Sequence, residues 1–345
     1  MRPAGPLGRR RFLRGSLALT GLGLLAGCGL APPLAKSPHR VPRIGFLSAG
    51  SLSSVTGPPP GSGNAALVER LRDLGHVDGE TVAIEYRGAD GMNERLPGLA
   101  AELVGLQVDV IVAGGATPVA IAAKQATDTI PIVFVGVGDP VASGLIASFA
   151  RPGGNLTGTT NFAPETAAKR LQLLKEVVPG ATRVDFVWNL ANPATAPESE
   201  ETQAAAREFG VTLQQRDVRD PTQIEGALRA MAAARPDALF VSGEPFFIAH
   251  RERFVEFAAA MGLPAMYSDP RFVAAGGLMS YGSNVADSFR RAADHVDKIL
   301  RGAKPAGLPV ERPTRFDFAI NLQAARALGL TFPPSMLQQA TDIIQ

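Results

Sequence analysis

The residues best placed to do chemistry in this chain stand where apolar runs give way to helical periods. Thr117-Pro118 follows Gly114-Gly115, and Asp139-Pro140 follows Gly136-Val137-Gly138. Asn192-Pro193, Asp220-Pro221, Glu244-Pro245 and Asp269-Pro270 follow later runs. In each pair the first residue suits an N-cap and the proline suits the first helical position. Helix N-termini are therefore expected along one edge of a sheet, where unpaired N–H groups favour an anion and glycines let a ligand approach bare backbone. Gly114, Gly115 and Thr117 are candidates for holding a ligand carboxylate; Asp139, Glu244 and Asp269 are candidates for a ligand cation. The plain alternative for each acid is a cap that spends its oxygen on its own helix. Trp188, Phe246, Phe247 and Tyr267 lie at or just after strand ends, where rigid rings can sandwich an apolar or aromatic group. For the rings the alternative is core packing.

Signatures of catalysis are scarce. The histidines at 39, 76, 250 and 295 are at least 37 residues apart, and Cys28 is the only cysteine. No H-E-x-x-H, G-x-S-x-G or G-K-S/T pattern occurs, so neither a metal, a nucleophile elbow nor a phosphate loop is expected. Gly61-Ser62-Gly63-Asn64-Ala65-Ala66 matches a dinucleotide fingerprint, with Glu85 19 residues after Ala66. Twelve residues, Ala49 to Pro60, separate it from the preceding strand, which spoils a tight phosphate turn. An exported nucleotide-cofactor oxidoreductase stays as an alternative; otherwise no cofactor is expected.

The first 28 residues carry a different chemistry. Arg2, Arg9, Arg10, Arg11 and Arg14 precede an apolar run that ends in Leu25-Ala26-Gly27-Cys28. That order is the n-region, h-region and cleavage box of an export signal, here twin-arginine-like with a lipobox. Ser16 to Gly27 supplies 12 residues, where a bilayer span needs about 20. Cys28 is thus expected to be acylated and to anchor the chain outside the cytoplasm, with 29–42, rich in proline, as a tether. The overall charge of +2 becomes −3 once the five arginines leave, which excludes a basic nucleic-acid surface.

The remaining 318 residues must position those joints. Near-continuous apolar runs such as Val108 to Ala113 fit strands buried on both faces of a parallel sheet. In the first half, strands are predicted at 43–48, 81–87, 108–113, 130–137 and 155–160, with helices near 64–74, 93–106, 118–127 and 141–149. The second half repeats the alternation, with strands at 183–189, 211–217, 237–243 and 264–267 and helices at 165–178, 195–209, 221–235 and 246–261. A short strand at 278–281, a long helix at 284–301 and an extended stretch at 308–320 follow. The fold class is α/β: two doubly wound parallel-sheet lobes. The expected layout is a signal over 1–27, a tether over 28–42, lobe 1 over 43–160 and 283–311, and lobe 2 over 161–282 and 312–345.

Several ordered blocks are familiar. Leu106 to Val112, Ala122 to Thr127, Ile130 to Val135, Gly138-Asp139-Pro140-Val141, Ala150 to Gly158, Ala275 to Gly282 and Asn321 to Leu330 stand in this order. The sequence resembles the tryptophan-binding-protein-like family of ABC-transporter substrate-binding proteins. That resemblance implies a type I periplasmic-binding-protein fold with three crossovers, a monomer that captures a small molecule, an aromatic or other amino acid among the options, by closing its cleft. It implies ABC permease and ATPase subunits as partners, with no enzyme activity. By position in the family pattern, the cleft residues are Ser48, Gly114, Gly115, Thr117, Gly138 and Asp139 in lobe 1, and Trp188, Asn189, Asn192, Glu244 and Tyr267 in lobe 2. Leu190, Ser242-Gly243-Glu244 and the stretch from Val55 to Gly63 depart from the pattern. A membrane receptor's ligand-sensing partner would share the fold; so would a repressor's effector domain, which needs a DNA-binding helix pair where this chain has its signal.

Overall fold

The computed structural model describes residues 40–58, 62–161, 165–192 and 195–345. The export signal and Cys28 lie outside them. Strand β1 (Arg43–Ser48) leads through α1 (Leu52–Thr56) and α2 (Gly63–Asp73) to β2 (Ala83–Gly88). Next come α3 (Leu96–Gly105), β3 (Val110–Gly114), α4 (Thr117–Ala126), β4 (Ile132–Val137) and β5 (Leu156–Thr160). The chain then enters a second alternation: α5 (Glu165–Val177), β6 (Arg183–Trp188), α6 (Ala196–Glu208), β7 (Thr212–Asp217), α7 (Ile224–Ala234) and β8 (Ala238–Val241). It continues with α8 (Pro245–Ala249), α9 (Arg251–Ala260), β9 (Ala265–Tyr267), α10 (Pro270–Ala274) and β10 (Met279–Ser283). Helix α11 (Val285–Leu300), β11 (Phe316–Asn321), α12 (Leu322–Ala327), α13 (Pro334–Gln339) and β12 (Asp342–Ile344) end the chain.

Two sheets result. The first has the order β2-β1-β3-β4-β5, parallel throughout. Its central strand β3, Val-Ile-Val-Ala-Gly, is buried at every position, as a strand covered on both faces must be. Leu67, Leu71, Phe289, Val296 and Ile299 from α2 and α11 cover one face, and Leu103, Val119 and Ala123 from α3 and α4 cover the other. Helix α11 follows lobe 2 in sequence yet packs in lobe 1, because its buried residues Phe289, Ala292, Ala293, Val296 and Ile299 recur at helical spacing and complete that core. Asn284 caps it, accepting the Asp287 N–H at 2.7 Å.

The second sheet has the order β12-β11-β10-β9-β8-β6-β7. It departs from the expected all-parallel sheet at one end, where β11 runs antiparallel to β10 with Ser283 opposite Phe316. The cause is connectivity: β10 leaves lobe 2 at its carboxyl edge, and the chain returns from lobe 1 to that same edge, so β11 can only run back. Two helices also differ from expectation. Residues 141–144 form turns and 145–149 stay irregular, because Asp139 Oδ1 accepts the N–H groups of Val141 and Ala142 and Gly144 turns left-handed at φ 65°. The helix expected over 246–261 is broken at His250 (φ −111°, ψ 25°) into α8 and α9.

The chain passes between the lobes three times: after β5, at Asn284 after β10, and in the stretch before β11. The third is bonded to the end of β5, with Glu311 O accepting the Thr160 N–H at 3.0 Å and the Glu311 N–H donating to Gly158 O at 3.0 Å. The second is bonded to the third, the Asn284 N–H donating to Arg315 O at 2.9 Å. Arg291 of α11 ties Asp287 and Glu311 together at 2.9 and 2.8 Å. All three crossovers leave or meet strands at the carboxyl edges, so those two edges adjoin.

Candidate ligand site at the adjoining sheet edges

In lobe 1 the site rests on the ends of β1, β3 and β4. Ser48 closes β1 and its hydroxyl accepts the Gly50 N–H at 3.0 Å. Gly114 has no room for a side chain, since a Cβ there would stand 2.9 Å from the Phe46 ring. Gly115 is exposed and left-handed at φ 90°, with nothing within 4 Å of an added Cβ, so its backbone faces open space. Thr117 is the first residue of α4 and does not cap it; that position falls to Ala116. The Thr117 hydroxyl instead accepts the Gly138 N–H at 3.4 Å, which binds the ends of β3 and β4 into one surface. Asp139 spends Oδ1 on its own turn, the cap reading weighed against a ligand role.

Lobe 2 assembles a denser polar group. Asn189 Oδ1 accepts the Ala191 N–H at 3.0 Å, and the Thr195 hydroxyl closes the loop onto the carbonyls of Asn189 and Asn192, each at 2.8 Å. Asn192 Nδ2 donates to Glu244 Oε2 at 2.9 Å, so residues 52 positions apart meet at the edge. Glu244 stands at the N-cap of α8 but makes no capping bond. The residue is 7% exposed, and burial pushes its pKa up, against the lowering effect of hydrogen bonds from Asn192 and Asn189; the Glu198 charge adds to the rise. Asp269 behaves in the opposite way, accepting from its own helix at Arg271 N and pairing with the Arg271 side chain at 2.8 Å.

The aromatic candidates divide. Trp188 is 8% exposed and lies at 14° to Phe186 with centroids 6.2 Å apart. Tyr267 is fully enclosed, stacked on Phe272 at 4.4 Å; burial pushes its phenol well above the usual range. Trp188 shares a core with Phe186, Phe240 and Met266, whereas Tyr267 shares one with Val187, Val241 and Phe272. The two rings therefore occupy opposite faces of one sheet, as strand alternation requires, and Tyr267 is a core side chain in this structure rather than a ring offered to a ligand. Phe247 likewise packs between Phe246 and Phe254.

Sequence reasoning missed Arg170 and Glu198. Arg170 is 7% exposed; it donates through Nε to Tyr281 O at 2.8 Å and through Nη2 to Thr166 at 2.8 Å, and Nη1 pairs with Glu198. A signal existed: Arg170 falls in the buried stripe of α5 with Ala167, Leu171 and Leu174, a position where a cation is retained only if paired. Among the described residues no group of three His, Cys, Asp or Glu side chains could hold a metal ion, and no helix is long and apolar enough to cross a membrane. Two surface depressions, one by Met231 and Leu263 and one by Pro42 and Pro131, lie at the amino-terminal strand edges, away from these groups.

Two α/β lobes joined by three crossovers, with polar groups gathered at the adjoining carboxyl edges, define a type I periplasmic binding protein. The chain belongs to the family described as ABC transporter substrate binding protein, whose profile matches residues 55–344. It is similar to a tyrosine-binding protein of Clostridioides difficile (strain R20291), 24% identical over 263 residues that span 76% of this chain and 75% of that one. Its fold is similar to a conserved domain protein from Vibrio cholerae O1 biovar El Tor (TM-score 0.80, 26% identity, 88% of this chain and 100% of that one). It is also similar to an ABC domain in complex with L-Trp from Streptococcus pneumonia (TM-score 0.78, 24% identity, 88% and 100% coverage).

Proposed function

We propose that this chain is the extracytoplasmic, lipid-anchored receptor of an ABC importer, and that it captures an amino acid between its lobes without chemical change. The ligand carboxylate would meet the Gly115 backbone and the Thr117–Gly138 surface beside Ser48 and Gly114. Its ammonium would meet Glu244, steadied by Asn189 and Asn192, with the edge of Trp188 against the side chain. Asp139 and Tyr267 keep structural roles in this reading. The observation that carries it is Glu244: a buried carboxylate that caps nothing, answered by amides and by no cation among its described hydrogen-bond partners. A buried carboxylate held this way is costly until a cation arrives, which suits a ligand ammonium. The relatives named for tyrosine and solved with L-Trp support the amino-acid class.

Binding energy alone would do the work. A ligand that touches both edges has higher affinity for the closed form and shifts the lobes toward it; the closed form would then dock on the permease, with acylated Cys28 keeping the protein at the membrane. A thermal-shift screen of the twenty amino acids tests the reading. At least one is expected to raise the melting temperature, by an amount growing with the logarithm of its concentration over Kd. No shift with any of them at millimolar concentration would contradict the amino-acid assignment.

A further inference from the structure

Lobe 2 encloses hydrogen-bonding groups that the described residues leave unanswered. Trp188 Nε1, the Ser242 hydroxyl and the Ser268 hydroxyl are all buried without a hydrogen-bond partner among the described residues. Val187, Val241 and Tyr267 are in register across β6, β8 and β9. Trp188 ends β6, and Ser242 and Ser268 are the first residues past β8 and β9, so the three groups meet at the carboxyl edge, where continued strand alternation would set them on the face of Phe186, Phe240 and Met266. The Ser242 N–H still bonds Val187 O at 3.0 Å, which extends the ladder to that level. Gly243 borders the Ser268 side chain, whose hydroxyl would stand 3.4 Å from a Cβ at that position, an ordinary contact distance.

Arg170 lies over this face, its guanidinium 5.6 Å from the Phe240 centroid and bonded to Tyr281 O. Its charge is matched by Glu198. The surroundings of these groups are thus neutral at Arg170–Glu198 and negative toward Glu244, which disfavours a second carboxylate. An indole N–H can only donate, and two hydroxyls can donate or accept; together they suit a neutral acceptor. Leaving such groups unpaired in the interior is costly, and a natural chain rarely retains several together without a use.

Resting on the amino-acid reading above, we propose that Trp188, Ser242 and Ser268 select ligands whose side chain ends in a neutral hydrogen-bond acceptor, a hydroxyl or an amide, over apolar isosteres. A site built to bond such a group rejects the analogue lacking it far more strongly than a greasy pocket rejects a missing methylene.

Calorimetric titration of the purified full chain with two matched pairs tests this: L-tyrosine against L-phenylalanine, and L-glutamine against L-norleucine. The acceptor-bearing member of whichever pair binds is expected to bind roughly tenfold tighter or more. Ser242→Ala and Ser268→Ala are expected to lower that ratio by weakening the acceptor-bearing ligand and leaving the apolar one within about twofold. Equal affinities within a pair, or a ratio that neither variant changes, would overturn the proposal while leaving amino-acid capture standing. Loss of folding in one variant leaves the wild-type ratio and the other variant to decide. Binding of none of the four ligands overturns the proposal, and the thermal-shift screen then decides separately whether amino-acid capture falls with it.

Discussion

Glu244 sets a conflict between folding and binding. Burial holds its carboxyl above the ordinary glutamate value, so the folded chain binds that proton more tightly than the unfolded one. Stability from this group therefore falls as the pH rises from the ordinary carboxylate range toward the folded value, and the penalty persists at neutral pH. Glu244→Gln removes the penalty. The ligand-free variant is expected to unfold at higher denaturant concentration than the wild type at pH 7, and the two should converge as the pH drops below the ordinary glutamate range. In the same variant the affinity for the stabilising amino acid should fall about tenfold to a hundredfold, the loss of one charge-assisted bond. Chemical denaturation across pH and calorimetry check the two halves. A variant that loses stability at pH 7 while keeping full affinity would mean that Glu244 is a structural acid.

At the scale of elements, the edge of lobe 2 depends on close backbone approach between β9 and β10. A Cβ added at Gly282 would stand 2.1 Å from the Ser268 carbonyl oxygen, and backbone cannot yield as a side chain can. Gly282→Ala is expected to cost about 1–3 kcal/mol or more, seen as a lower midpoint in urea; an unchanged midpoint would refute the packing account. The alternation of strands and helices was legible in the sequence because buried β-branched runs and helical apolar spacing leave distinct periods. The reversal at β11 was not, because its direction follows from where the chain re-enters lobe 2, a fact of topology rather than of local pattern. The failure of the helix over 141–149 is different again: its apolar spacing is helical, but Asp139 and Gly144 prefer a turn. At the site, glycines and caps were visible as residue types. Which acid was spent on its own helix was not, since Asp269 and Glu244 share the same acid-proline signature and differ only in which neighbours their oxygens reach. The opposite facing of Trp188 and Tyr267 follows from counting parity across paired strands, which needs the register.

Across the whole molecule, the second and third crossovers are bonded to each other through Asn284 and Arg315, and the third to β5 and α11 through Glu311, so the lobes are tied along one side, about which closure is expected. At the other extreme of the chain, Cys28→Ala should release the protein from membranes into the soluble fraction; unchanged retention would defeat the lipid anchor. The central claim, that a ligand held at both sheet edges draws the lobes together, is tested most directly by small-angle X-ray scattering of the protein with and without the amino acid that stabilises it most. A smaller radius of gyration on saturation, absent in Glu244→Gln at the same ligand concentration, is the predicted result. Identical scattering curves with and without a ligand that calorimetry shows to be bound would contradict it.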